Sequence, residues 1–151
     1  MIVPPLAHRI ALACALAALA AACTPSKAPP RRAELIAAGP ASIELVPTEG
    51  QPAYCLVFTI AEKGVVRHLT MSEANESVPC PAHVPVGGTT YRIPPAEGKV
   101  RVHLVFSDRP LDARPIAAQM HELGAAAGFS AMDLRAPGNV LLETLEFTPQ
   151  R

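Results

Sequence analysis

The sequence predicts a mainly β (α+β) domain: a small antiparallel sheet or β-sandwich with one covering helix, following an N-terminal signal segment. Three observations carry this. Several short stretches alternate apolar and polar residues and are rich in β-branched side chains, the pattern of half-buried strands. The 17 prolines among 151 residues are about twice the usual share of ~5%. They fall in short clusters (Pro29-Pro30, Pro79, Pro81, Pro85, Pro94-Pro95) that favour short strands and loops over long helices. Only one segment has apolar residues at convincing helical spacing. Half the residues are hydrophobic, in patterned runs that argue against disorder. The formal net charge of zero lacks the basic excess that binding nucleic acid requires.

Residues 1–22 read as an export signal. His8-Arg9 supplies a positive start, and Ile10 to Ala22 is an uncharged run of 13 residues. A span of the hydrocarbon core needs about 20 residues, whereas a signal h-region needs about 7–15. The run closes on Leu19-Ala20-Ala21-Ala22-Cys23, which resembles the lipobox of bacterial lipoproteins, although Ala20 stands where that family usually places Leu. The resemblance implies that Cys23 is lipidated and becomes the mature N-terminus, with Cys14 discarded. The alternative is ordinary signal cleavage at the same Ala-x-Ala, leaving Cys23 as a free thiol. Thr24 follows the cysteine rather than Asp, and the same resemblance then implies the outer membrane, facing the periplasm. At least two acyl chains, palmitate among them, would give stable anchoring at about 0.8 kcal/mol per buried CH₂. Residues 23–34 form the lipidated Cys and a Pro-rich tether reaching about 30 Å. Residues 35–151 form the β-rich globular domain.

Within that domain Ser42 to Val46 is the first expected strand. Tyr54 to Ile60 follows, with Tyr54, Leu56, Phe58 and Ile60 on one face and Cys55, Val57 and Thr59 on the other. Ala61-Glu62-Lys63-Gly64 reads as a hairpin turn, with Gly64 free to take a positive φ, and Val65 to Met71 returns from it. Thr89 to Ile93 is a short strand and Pro94 to Gly98 a turn. In Val100 to Phe106, Val100, Val102, Leu104 and Phe106 alternate with Arg101, His103 and Val105. Val140 to Phe147 closes the set. The helix begins with Asp112 as N-cap and tolerates Pro115 early. Ile116, Met120, Leu123 and Ala127 share its apolar face, and Gly128 can end it. These four side chains read as core packing.

The stretch "YRIPPAEGKVRVHLVFSDRP" and the "LDA" after it resemble a poorly characterised β-rich module of bacterial envelope and signalling proteins. Its members run from an early strand pair, here "YCLVFTIAEKGVVRHLT", to a closing Ser-x-x-Pro-Leu, here Ser107 to Leu111. The similarity covers residues 40–112 and departs from the module at Thr70-Met71-Ser72, where Phe-Pro-Asn often stands. It implies a fold and no particular activity.

Cys55 and Cys80 remain after processing. Export puts them in an oxidising compartment where thiols pair, so a disulfide closing the Pro-rich loop is expected. The rival is a copper or zinc site, with Cys80 and His83 at ligand-like spacing and His68 and Met71 as soft-ion candidates. On a continuous strand His68 and Met71 would point to opposite faces, which weighs against it. No nucleophile elbow, zinc-protease motif or phosphate loop is present. His103 and Ser107 lie four residues apart on one strand, about 13 Å between backbones, which is too far for a catalytic pair. The expectation is therefore a non-catalytic lipoprotein without cofactor, anchored to a membrane by its lipid. It would act as an interaction or structural accessory of an envelope assembly through an unidentified protein partner. The loop Ser72 to Gly88 is the expected contact surface. The alternative is a periplasmic metal-binding protein.

Overall fold

The computed structural model describes residues 28–124 and 128–151. The unit from Arg31 to Arg151 is mainly β, with two antiparallel sheets and one α-helix. The strands are β1 (Ala33–Gly39), β2 (Ser42–Pro47), β3 (Tyr54–Ala61), β4 (Val66–His68), β5 (Val78–Pro79), β6 (Tyr91–Arg92), β7 (Val100–Ser107) and β8 (Val140–Phe147). The helix α1 spans Ala113–Leu123. The first sheet has the order β1-β2-β6; the second runs β4-β3-β7-β8, with β5 pairing the start of β3.

The alternation in the sequence sorts the side chains of the larger sheet between two cores. Cys55 and Val57 of β3, with Val100, Val102, Leu104 and Phe106 of β7, face Ile43, Leu45 and Ile93 of the smaller sheet. Leu56, Phe58 and Ile60 of β3, with Val105 of β7, face Ile116 and Met120 of α1. The domain is thus a sandwich of two sheets with a helix over the outer face of the larger one. Each fully buried Leu, Ile or Phe in these cores is worth about 1.5–3 kcal/mol of transfer free energy.

Four expectations need correction. Ala33–Gly39 is a strand that alternation does not reveal: its Ala-rich sequence has little β preference, and the hairpin with β2 orders it. Its first two residues, Ala33 and Glu34, lie inside the stretch read as tether. The return strand Val65 to Met71 shortens to Val66–His68, because the Val57 N–H donates to the Thr70 side-chain Oγ1, ending the backbone ladder. Thr89 to Ile93 reduces to Tyr91–Arg92, and Pro94 to Gly98 contains a 3-10 turn at Pro95–Glu97. The helix stops at Gly124, not Gly128. A Cβ on Gly124 would approach Met120 O to 2.7 Å and two Ile60 carbons to 3.3 Å, so this glycine seats the helix end against β3. Ala127 lies outside the described residues. The helix start matches expectation: Asp112 Oδ1 accepts from Arg114 N at 2.9 Å. That bond holds the Asp112 carboxyl below its ordinary range.

Candidate interaction surface

The loop Ser72 to Gly88 crosses from β4 to the smaller sheet, and the chain pins it repeatedly. Ser72 Oγ accepts from Glu76 N and donates to Glu76 O, both at 3.0 Å. Asn75 takes a left-handed conformation, φ 54°, which its short polar side chain tolerates. There its carbonyl accepts from Ala113 N at 2.8 Å, and its amide Nδ2 donates to Asp112 Oδ1 at 3.3 Å. Ser77 clamps Leu111 from both sides: its N–H donates to Leu111 O at 2.9 Å, and its Oγ accepts from Leu111 N at 2.9 Å.

The next pins tie the loop to β3 and to the smaller sheet. Val78–Pro79 pairs with Tyr54 and Cys55, and Cys80 N donates to Ala53 O at 2.8 Å. Cys55 and Cys80 stand at disulfide distance, Cα to Cα 5.8 Å, and both sulfurs are buried in the inter-sheet core. His83, also at positive φ (62°), donates its backbone N–H to Pro47 O at 2.9 Å. The Tyr91 hydroxyl donates to Val86 O at 2.9 Å. Burial pushes the Tyr91 phenol up to about 12, so it remains a donor at neutral pH. A Cβ on Gly87 would come within 2.9 Å of that hydroxyl, which is why glycine stands there.

The result is a rigid backbone with an exposed outer side. Glu73, Glu76, Pro81, His83 and Val84 face solvent. From His68 to Tyr91 the chain carries two glutamates and no Lys or Arg. Glu49 adds a third carboxylate, 3.3 Å from His83 Nε2. The surface is therefore acidic, interrupted by a few apolar side chains.

The candidate metal ligands do not converge. The Cys80 sulfur faces Cys55, and His83 reaches outward to Glu49. His68 stacks on Phe58, ring centroids 4.8 Å apart, with Nε2 3.0 Å from Thr70 Oγ1. Burial lowers the His68 pKa, which favours the neutral ring. Met71 is 82% exposed beyond the end of β4. Among the described residues no group of three or more His, Cys, Asp or Glu is arranged to hold a metal ion. Cys23 and Cys14 lie outside the described residues.

His103 and Ser107 are held in separate structural roles. Ser107 Oγ donates to Arg109 O at 2.7 Å, closing the turn after β7. His103 has Nδ1 3.0 Å from Thr144 Oγ1 and its ring 4.8 Å from that of Phe129. Its Nε2 has no hydrogen-bond partner among the described residues. Burial, aided by the Arg101 charge, lowers its pKa to about 4. What the sequence did not reveal is the fixation of the loop. Ser77, Asn75 and Asp112 are ordinary turn and cap residues whose mutual contacts exist only in the folded chain.

Comparison with protein families, with curated proteins and with solved structures finds no match to this chain.

Proposed function

We propose that this chain is a non-catalytic bacterial lipoprotein, anchored through Cys23 at the periplasmic face of the outer membrane, that serves as an interaction module of an envelope assembly. The observation that carries the reading is the loop Ser72 to Gly88: exposed on its outer side, yet bonded to both sheets and to the helix start. A surface held rigid before contact loses little entropy on binding. The buried Cys55–Cys80 pair supports export to an oxidising compartment. The lipobox-like segment supports anchoring there. The acidic character of the loop favours a partner with a basic surface, through electrostatic complementarity.

Two measurements test this. Intact mass of the mature protein should show a lipidated Cys23, and a mature chain without lipid mass overturns the anchor. Crosslinking in membranes from a photoreactive residue at position 74 should capture a partner. Glu73→Lys with Glu76→Lys should abolish that capture. Unchanged capture by the double variant would remove the loop from the interface.

A further inference from the structure

Most sheet edges of the domain are short or broken. β6 pairs over two residues and β4 over three, and the register of β1 shifts between Ala37 and Gly39. β8 differs from them. It is the last strand of the larger sheet, eight residues long, and it holds unbroken register with β7 from Val140 to Phe147. Edge strands are ordinarily blunted against other chains by brevity, lysine, proline or a bulge. The β8 sequence, VLLETLEF, has none of these.

The backbone groups on the free side follow from the ladder. Asp108 N donates to Asn139 O at 3.3 Å, so antiparallel alternation directs Leu141, Glu143, Leu145 and Phe147 to β7. It turns the N–H and C=O of Val140, Leu142, Thr144 and Glu146 away from the sheet. Among the described residues no other strand or backbone group takes these up. The two carboxylates of β8 are engaged within the chain. Glu143 Oε2 accepts from Arg32 N at 2.8 Å, and Glu146 Oε2 lies 2.7 Å from Lys99 Nζ. Thr144 and Glu146 are exposed, and Leu141, Leu142 and Phe147 are only half-buried, so apolar surface remains along the strand.

We propose that β8 pairs with β8 of a second copy of this chain, antiparallel about a two-fold axis, joining the two larger sheets into one. The occupant follows from register and charge. Outward-facing groups must meet outward-facing groups, so a symmetric pair is centred on one residue, and two centres use nearly the whole strand. Centring on Glu143 sets it against Glu143 of the second copy, like charges directly opposite, which is destabilising. Centring on Thr144 sets hydroxyl against hydroxyl, Leu141 against Phe147, Leu142 against Glu146 and Glu143 against Leu145. No like charges are then directly opposite. The pairing is isologous and uses up the long edge, so assembly closes at two copies. It stands apart from the loop Ser72 to Gly88 and requires neither lipid nor another protein.

Sedimentation velocity of the purified full chain, in density-matched detergent, decides it. The parent should form a dimer that dissociates on dilution. Thr144→Lys and Thr144→Glu each place like charges across the two-fold axis and should weaken self-association about tenfold or more. An equimolar mixture of the two variants should restore the dimer, opposite charges now facing each other, which also shows that both fold. Thr144→Ser keeps the hydroxyl and should remain dimeric. A parent that stays monomeric overturns the proposal, whether β8 then takes another protein's strand or none. Undiminished dimers in both charge variants overturn it too, since they place the contact on another face or in a shared micelle. A mixture that stays monomeric does the same.

Discussion

The backbone N–H of Val57 donates to the side-chain hydroxyl of Thr70, at 3.0 Å, and not to a strand carbonyl. Thr70 is buried, and its Oγ1 also lies 3.0 Å from His68 Nε2. One hydroxyl thus closes the ladder of β3 and orients the imidazole that stacks on Phe58. Thr70→Val keeps the shape and removes the acceptor, leaving a buried amide unsatisfied. The expected loss is about 1–3 kcal/mol, read as a lower urea midpoint with an unchanged m-value. Thr70→Ser should recover most of it.

His103 makes stability depend on pH in a defined direction. Its pKa lies at about 4 in the folded chain against an ordinary 6.5, so between these values the unfolded state binds more protons. Stability therefore falls as pH drops from about 6.5 to about 4, by up to ~3 kcal/mol from this group. Urea titrations across that range should show the decline, with a shallower one in His103→Gln. Parallel declines in the two proteins would assign the effect to other groups.

The Cys55–Cys80 pair closes a loop with a sequence separation of 25. Its removal by Cys55→Ala with Cys80→Ala should cost about 3–4 kcal/mol on the chain-entropy account. Reductant should lower the thermal midpoint of the parent and leave that of the double variant unchanged. Non-reduced mass spectrometry should find no free thiol at either position.

Gly138 has φ 78° and packs directly on Asp108 and Arg109, where a Cβ would collide with the Asp108 carboxylate. That carboxylate accepts from Asn139 N at 3.1 Å and from Asn139 Nδ2 at 3.3 Å, docking the chain as it enters β8. Gly138→Ala combines a left-handed penalty of about 1–2 kcal/mol with displacement of this dock. A lower melting temperature and faster amide exchange at Asn139 and Val140 are expected. Asn139→Ala should reproduce the exchange effect without the backbone penalty.

The legible parts of the fold were those set by local pattern. Strict alternation marked Tyr54 to Ile60 and Val100 to Phe106, and Asp112 marked the helix start. The two cysteines suggested their pairing because few alternatives remained after the signal segment was set aside. The illegible parts depend on contacts between distant residues. Ala33–Gly39 lacks strand-forming residues and is ordered by its hairpin partner. Thr70 ends β4 with a side chain, which a backbone pattern does not register. The helix ends at Gly124, where Ile60 lies too close for a Cβ, while Gly128 offered the more familiar signal. The candidate sites divide in the same way: the Pro-rich loop was visible as a loop, but its rigidity comes from Leu111 and Asp112. The candidate metal ligands were visible as residue types, but only the folded chain turns the Cys80 sulfur to Cys55 and His83 outward to Glu49.

The strands β3 and β7 are a common wall, lining the inter-sheet core with one set of side chains and the helix-covered core with the other. Stripping either layer would expose the apolar face of the same two strands and leave them single-sided. Neither core is then an independent folding unit, and the domain should melt as one cooperative block, with sheet and helix signals lost at a single temperature.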